Sequence, residues 1–205
     1  MNNILSNFFK NDKLSIPIWF LRQSGRHIPE YFKLRNQESS FVNFCLNTEL
    51  VVKSTKLPLK YYDLDAAIVF SDILMIPWAV DRKVDFIKGI GPQLEPMIPD
   101  ETQILKNINI FNKLKPLKDS ISILRNELPK SKCLIGFAGA PWTLACYMIE
   151  GQSSKDFVIT RKALWNSNKW FMELLDVLSI NIANKLEMQA KAGADILMLF
   201  DSWSH

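Results

Sequence analysis

Histidine is nearly missing from this chain: there are two in 205 residues, His27 and His205. No HExxH pair and no Cys/His cluster can be built from them, which argues against a structural or catalytic zinc. Cysteine is scarce too. Cys45, Cys133 and Cys146 fall in no CxxC and read as buried or free thiols of a reducing compartment. No apolar stretch approaches the span of a bilayer. The opening "MNNILSNFFKNDK" is too short in apolar length for a signal peptide and lacks a small-residue cleavage site. No run of five like charges exists; 25 Lys and Arg are spread among 21 Asp and Glu, for a net charge of +4. That leaves no nucleic-acid footprint, and the mild basic excess suits an acidic small molecule. Linkers, repeats and low-complexity segments are absent as well. These absences leave a soluble cytoplasmic protein, with neither a membrane nor a nucleic acid as its partner.

What is present is an ordinary globular composition, 48% hydrophobic and 22% charged, enough for a single domain over residues 1–205 with a real core. Four nearly unbroken apolar runs stand out: "IPIWFL" (16–21), "DAAIVF" (65–70), "CLIGFAGA" (133–140) and "DILMLF" (195–200). Unbroken runs of this length are expected of parallel strands covered on both faces. Helical patterns lie between them. "NTELVVKSTKLPLK" opens on Asn47 as an N-cap, with Glu49 in the first turn. "KPLKDSISILRNELP" carries Ile121, Leu124 and Leu128 on one face. The longest pattern runs from about Ser167 to a stop at Gly193, with Phe171, Leu174, Leu175, Leu178 and Ile182 as its stripe and Met172 and Met188 as core filler. "VDFIKGIGPQLEPMIP" breaks the alternation as a small hairpin. Its "GIGP" is a turn, since no GxGxxG or GK[ST] helix follows.

Strands alternating with helices make βα units and a parallel sheet. Polar residues gather where each run stops, as "RQSGR", "SD", "GAPWT" and "DSWS". Such a bias marks the catalytic rim of a β/α barrel. It equally marks the switch point of an open doubly wound sheet, and the pattern alone leaves the two folds unresolved. Arg22 and Arg26 at the first of these ends raise the sharpest question: two permanent positive charges there need something to hold.

Two stretches answer it by resemblance. "PIWFLRQSGRHIPEY" resembles the first signature of the uroporphyrinogen decarboxylase family, P-x-W-x-M-R-Q-A-G-R-Y-x-P-E-Y, and "GFAGAPWTLACYMIEG" resembles the second. "AAIVFSDIL" and "LFDSW" are similar to two further family stretches, in the expected order. The likeness runs from about Ile16 to Trp203. It implies an α/β fold of the (β/α)8 TIM-barrel type, usually homodimeric, working without metal or organic cofactor. The activity implied is removal of CO2 from the four acetate side chains of uroporphyrinogen to give coproporphyrinogen, in haem biosynthesis. A β/α barrel typically needs about 250 residues and eight strands. The four runs here correspond to the first four βα units, an incomplete barrel whose partner would be a C-terminal half.

The resemblance assigns roles residue by residue. Asp72 stands where the family's ring-binding aspartate does, beneath the macrocycle; as a residue it is equally a favoured helix cap. Arg22 and Arg26, with Gln23 beside them, would grip substrate carboxylates by two-pronged contacts, and either arginine could relay a proton. Their plain alternative is a pair of structural ion pairs to acids such as Glu30. Tyr147 would bond a substrate carboxylate or hold Asp72, or else is a structural tyrosine. Ser202 matches a family serine that contacts a substrate side chain, or else is a turn serine. The catalytic set is thus Asp72, Arg22 and Arg26, and the substrate-binding set adds Gln23, Tyr147 and Ser202. Phe70, Ile73 and Phe137 would pack on the macrocycle or in the core. His27 and Ser24 depart from the usual Tyr and Ala. The family's late histidine, beyond strand eight, has no counterpart here, and His205 is not that residue. Two other readings remain: an inactive half-barrel remnant, and a related zinc-dependent barrel methyltransferase. The latter would want a His-x-Cys pair that this sequence lacks.

Overall fold

The structure, a computed structural model, describes residues 16–106 and 108–204. Its elements run in the order α1 (Pro29–Arg35), α2 (Phe41–Leu46), α3 (Thr48–Lys56), β1 (Ala66–Ile68), α4 (Met75–Ala79), β2 (Val84–Ile87), β3 (Gly91–Leu94), α5 (Thr102–Leu105), α6 (Ile110–Lys113), α7 (Lys115–Glu127), β4 (Cys133–Gly139), α8 (Pro141–Glu150), α9 (Val158–Trp165), α10 (Lys169–Ala192) and β5 (Ile196–Phe200). One sheet has the order β1-β4-β5, and β2 and β3 form a separate two-stranded sheet. β1 and β4 are parallel, with Ala66 opposite Cys133 and Ile68 opposite Ile135. Asp195 N–H donates to Leu134 O, and Ala140 N–H to Phe200 O, so β5 also rises alongside β4.

The chain divides into two units. The first holds residues up to Ser71, Lys115–Phe137 and Leu186–Met198; the second holds Asp72–Leu114, Ala138–Lys185 and Leu199–His205. In the first unit, Ile28, Tyr31, Phe44, Leu50 and Leu57 form one core cluster, and Ala66, Cys133 and Ile135 another. Its helices start where local chemistry lets them. Pro29 occupies the first turn of α1, where its missing N–H costs nothing. Asn47 caps α3 by accepting the Leu50 N–H at 3.1 Å. Ile121 and Leu124 of α7 are fully buried, as their spacing predicts.

β4 tolerates an intruder. Gln189 of α10 accepts from Phe137 N–H at 3.0 Å and donates to Phe137 O at 2.9 Å. A Cβ on Gly136 would stand 2.7 Å from the Gln189 Oε1, so only glycine admits this approach.

In the second unit the predicted hairpin is present, β2 and β3 pairing antiparallel. Arg82 secures its far end, donating to Glu101 Oε1 at 2.7 Å and to Glu95 O at 2.9 Å. In α10, Phe171, Leu174 and Leu178 are buried, and the helix ends at Gly193, whose φ of 113° only glycine adopts freely. Leu175 is half-buried and Val177 takes its place in the core. Met172 is exposed, a correction to its reading as core filler; Met188 is buried as expected.

The larger correction concerns 16–21, which forms no strand. Asp65 N–H donates to Ile18 O at 2.9 Å, but Ile18 N–H turns to the Asp65 side chain at 2.7 Å. Gln23 then takes the next positions, donating to Ala66 O and accepting from Ile68 N–H. Side chains make the bonds that a strand backbone would make, so the ladder stops after one rung. Trp19 packs on the Ala66–Cys133–Ile135 cluster, while Ile16 is 82% exposed and Leu21 63%.

Burial pushes the Cys133 thiol up to about 12 from an ordinary 9.0, with the Asp195 charge adding to it. Cys146 is pushed to about 12 as well, by burial and then by Glu150 and Asp201. The folded chain therefore favours both thiols protonated. Their contribution to stability is complete below pH about 9 and is lost as pH rises toward 12. Denaturation midpoints should fall between pH 8 and pH 10. At pH 8 iodoacetamide should modify both thiols orders of magnitude more slowly in the folded chain than in guanidinium. Equal rates in the two states would contradict the burial.

Candidate functional site

The first unit presents Arg22, Gln23 and Arg26 on one short loop. Two anchors hold it. Gln23 is buried and spends both ends of its amide on β1, as described above. Ile28 is 2% exposed, seated in the Tyr31–Phe44 cluster, and its N–H closes a turn onto Gly25 O at 3.0 Å. Arg22 and Arg26 lie on either side of the Gln23 anchor and are exposed. Among the described residues neither forms an ion pair. Glu30, the acid expected for a structural pair, is bonded to the Tyr61 hydroxyl instead. Burial raises the Tyr31 phenol; Arg35 opposes it most, then Arg26 and Arg22, which puts the loop's charges near that ring.

The second unit presents Asp72, Tyr147 and Ser202. Asp72 is half-buried, and its Oδ1 accepts the Leu74 N–H at 2.8 Å, closing a turn just before α4; the helix-cap reading is corrected, since the N-cap of α4 is Leu74 and no side chain caps it. Gly139 makes room for this segment: a Cβ there would come within 3.0 Å of Ile73 Cβ and 2.8 Å of Leu144. Tyr147 lies on α8, half-buried. Burial raises its phenol, the Trp203 indole N–H pulls it down without reaching hydrogen-bond geometry, and the Asp72 charge raises it further. Asp72 and Tyr147 are thus electrostatic neighbours. Ser202 is exposed at a turn after β5 and bonds nothing among the described residues.

Of the apolar rim, Phe70 turns into the core of the first unit, with its ring 5.1 Å from Phe44 and 5.8 Å from Tyr31. Phe137 is buried and Ile73 half-buried. A groove of about 760 Å³ in the first unit, floored by Val52 and Leu57, is lined by none of the six polar residues named above. Among the described residues no cluster of His, Cys, Asp and Glu could hold a metal ion. No helix there is long and apolar enough to cross a membrane.

The sequence reading missed what holds the turn at Ser202. Thr143 Oγ1 donates to Asp201 Oδ1 at 2.7 Å and accepts the Trp203 N–H at 3.2 Å. Trp142 Nε1 donates to Trp203 O at 2.6 Å. The Trp203 ring packs 4.9 Å from Phe157 and 6.1 Å from Tyr147. "PWT" and "DSW" stand at the ends of two predicted strands. Only the adjacency of β4 and β5 makes them partners, and that adjacency is a property of sheet order.

Comparison with known proteins bears on the whole described length. The family model for uroporphyrinogen decarboxylase (URO-D) matches residues 2–205. A uroporphyrinogen decarboxylase of Rickettsia felis is 42% identical over 198 residues, 97% of this chain and 57% of the relative. Those of Maricaulis maris, 42% identical over 92% of this chain, and Aliarcobacter butzleri, 39% over 96%, are covered to 54% and 58% of their lengths. The chain thus spans little more than half the length of these relatives. Among solved structures, a methyltransferase from Methanosarcina mazei superposes with a TM-score of 0.72 over 92% of this chain and 54% of that one, at 15% identity. That likeness speaks for the α/β fold with its parallel sheet. On signatures, matched length and identity together, the chain belongs to the uroporphyrinogen decarboxylase family.

Proposed function

We propose that this chain supplies the N-terminal half of a uroporphyrinogen decarboxylase, as the first part of a (β/α)8 barrel forming one domain with the rest. The observation that carries the reading is Arg22 and Arg26. Two exposed permanent cations, paired with no acid among the described residues, suit a substrate bearing eight carboxylates.

The chemistry asks for little else. When an acetate on a pyrrole loses CO2, the bonding electrons are left on its methylene carbon. Protonation of the ring carbon makes the pyrrole cationic and able to accept them. A second proton then converts the methylene to methyl, and the ring returns the first. The net change exchanges CO2 for a proton, so no redox partner is required. The protein's task is to stabilise a cationic ring and steer a polyanion, which is electrostatic preorganisation. In this reading Asp72 accepts hydrogen bonds from pyrrole N–H groups and lowers the energy of the ring cation. Arg22 and Arg26 clamp carboxylates. A guanidinium holds its proton too firmly for either to serve as a direct acid, so a proton would pass through a bound water. Tyr147 and Ser202 contact substrate carboxylates. Gln23, with both ends of its amide on β1, serves by holding the arginine loop. The proposal includes a cytoplasmic location and the family's homodimeric assembly.

The test is turnover of uroporphyrinogen by the chain mixed with a polypeptide supplying the remaining length of its relatives. In that mixture Arg22→Lys and Arg26→Lys keep the charge and lose the planar fork. Catalysis should fall at least tenfold while the melting temperature barely moves. A melting temperature lowered by several degrees with normal kinetics would mean that the arginines are structural after all.

A further inference from the structure

Thr143 is fully buried, at the third position of α8, where an apolar residue of the same shape would satisfy packing. Its hydroxyl both donates and accepts. The proton goes to Asp201 Oδ1 at 2.7 Å and a lone pair takes the Trp203 N–H at 3.2 Å. These two partners flank Ser202, the one residue between them. Trp142 adds its bond to Trp203 O at 2.6 Å, and Ser204 Oγ closes back onto Asp201 O at 3.1 Å. The clamp therefore grips the turn on both sides of Ser202 and leaves that hydroxyl exposed, with no bond among the described residues. A loop fixed in this way presents its apex hydroxyl in one place before any ligand arrives, which is how supporting bonds sharpen a contact made by a neighbour.

We propose that Thr143 is a positioning residue for substrate, acting through Ser202. The inference rests on the decarboxylase reading above, with Ser202 contacting a substrate carboxylate. Thr143→Val keeps the shape and removes both bonds; Thr143→Ser keeps them. Two measurements decide. In the 205-residue chain itself, amide hydrogen exchange of the peptide containing Trp203 should speed up at least tenfold in Thr143→Val and recover in Thr143→Ser, with exchange elsewhere unchanged. In the complemented enzyme, Thr143→Val should raise KM about tenfold, the scale of one lost bond to a charged group, with kcat within twofold. It should add nothing further in a Ser202→Ala background. A merely structural threonine would lower the active fraction, and so kcat, at unchanged KM. Unchanged exchange at Trp203 overturns the clamp. Turnover with an unchanged KM overturns the proposal alone. A parent mixture that turns over nothing sinks the decarboxylase reading and this proposal with it, while the exchange result still reports on the clamp.

Discussion

Asp72→Asn, in the chain completed by the rest of the barrel, is expected to lose a hundredfold or more in turnover while keeping its fold. The substitution separates the bond that Asp72 makes from the role proposed for it. Its Oδ1 holds the Leu74 N–H at 2.8 Å, and an asparagine carbonyl accepts that bond equally well. The turn into α4 should therefore survive. What goes is the negative charge, and a carboxylate facing a ring that becomes cationic acts through its charge. Removing one preorganised electrostatic group of this kind costs about 10²–10³ in rate. The phenol of Tyr147 offers a second readout, since part of its upward shift comes from the Asp72 charge. In Asp72→Asn the Tyr147 phenol should titrate lower, in an absorbance titration referenced to Tyr147→Phe. Turnover within a few-fold of the parent would leave Asp72 as nothing more than the turn former that its sequence position also allows.

The sequence carried the local devices of the fold further than it carried the fold's edges. Asn47 as a cap, Pro29 as a helix start, the Ile121–Leu124 stripe and the Gly193 stop are local devices, and local devices survive into the structure because nothing distant competes with them. The run 16–21 failed for the opposite reason. Its composition demanded a strand covered on both faces, but pairing is decided by the neighbour. Here Asp65 and Gln23 side chains occupy the rungs. Met172 misled because a helical stripe fixes the face but not the edge of the face. The Thr143–Asp201 bond joins residues 58 apart, across two neighbouring strands whose order no periodicity encodes. Arg22 and Arg26 stood out because charge at the end of an apolar run needs either a partner or water, and their exposure and the loss of Glu30 to Tyr61 could be learned only in three dimensions.

The 205-residue chain by itself is expected to be inactive on uroporphyrinogen and to associate, either with itself or with a polypeptide supplying the remaining length of its relatives. The physical reason lies in the segment beside β1 and in the strand at the far side of the sheet. Along 16–21, Ile16, Ile18, Phe20 and Leu21 are all more than half exposed. At the other end β5 is a terminal strand of the β1-β4-β5 sheet, with Leu199 53% exposed and no charged residue between Ile196 and Phe200. A terminal strand with exposed apolar side chains, no charge and no proline is a template for another strand. Closing a barrel removes such edges, and in the proposed enzyme the same closure would supply the far wall of the pocket and the late histidine. Two measurements test this together: the mass of the purified chain in solution, and decarboxylation with and without the complementary polypeptide. Self-association alone, giving way to a stoichiometric and active complex on mixing, is the expected pair of results. A soluble monomer that turns over uroporphyrinogen unaided would mean that these edges need no partner, and the half-barrel reading would fall.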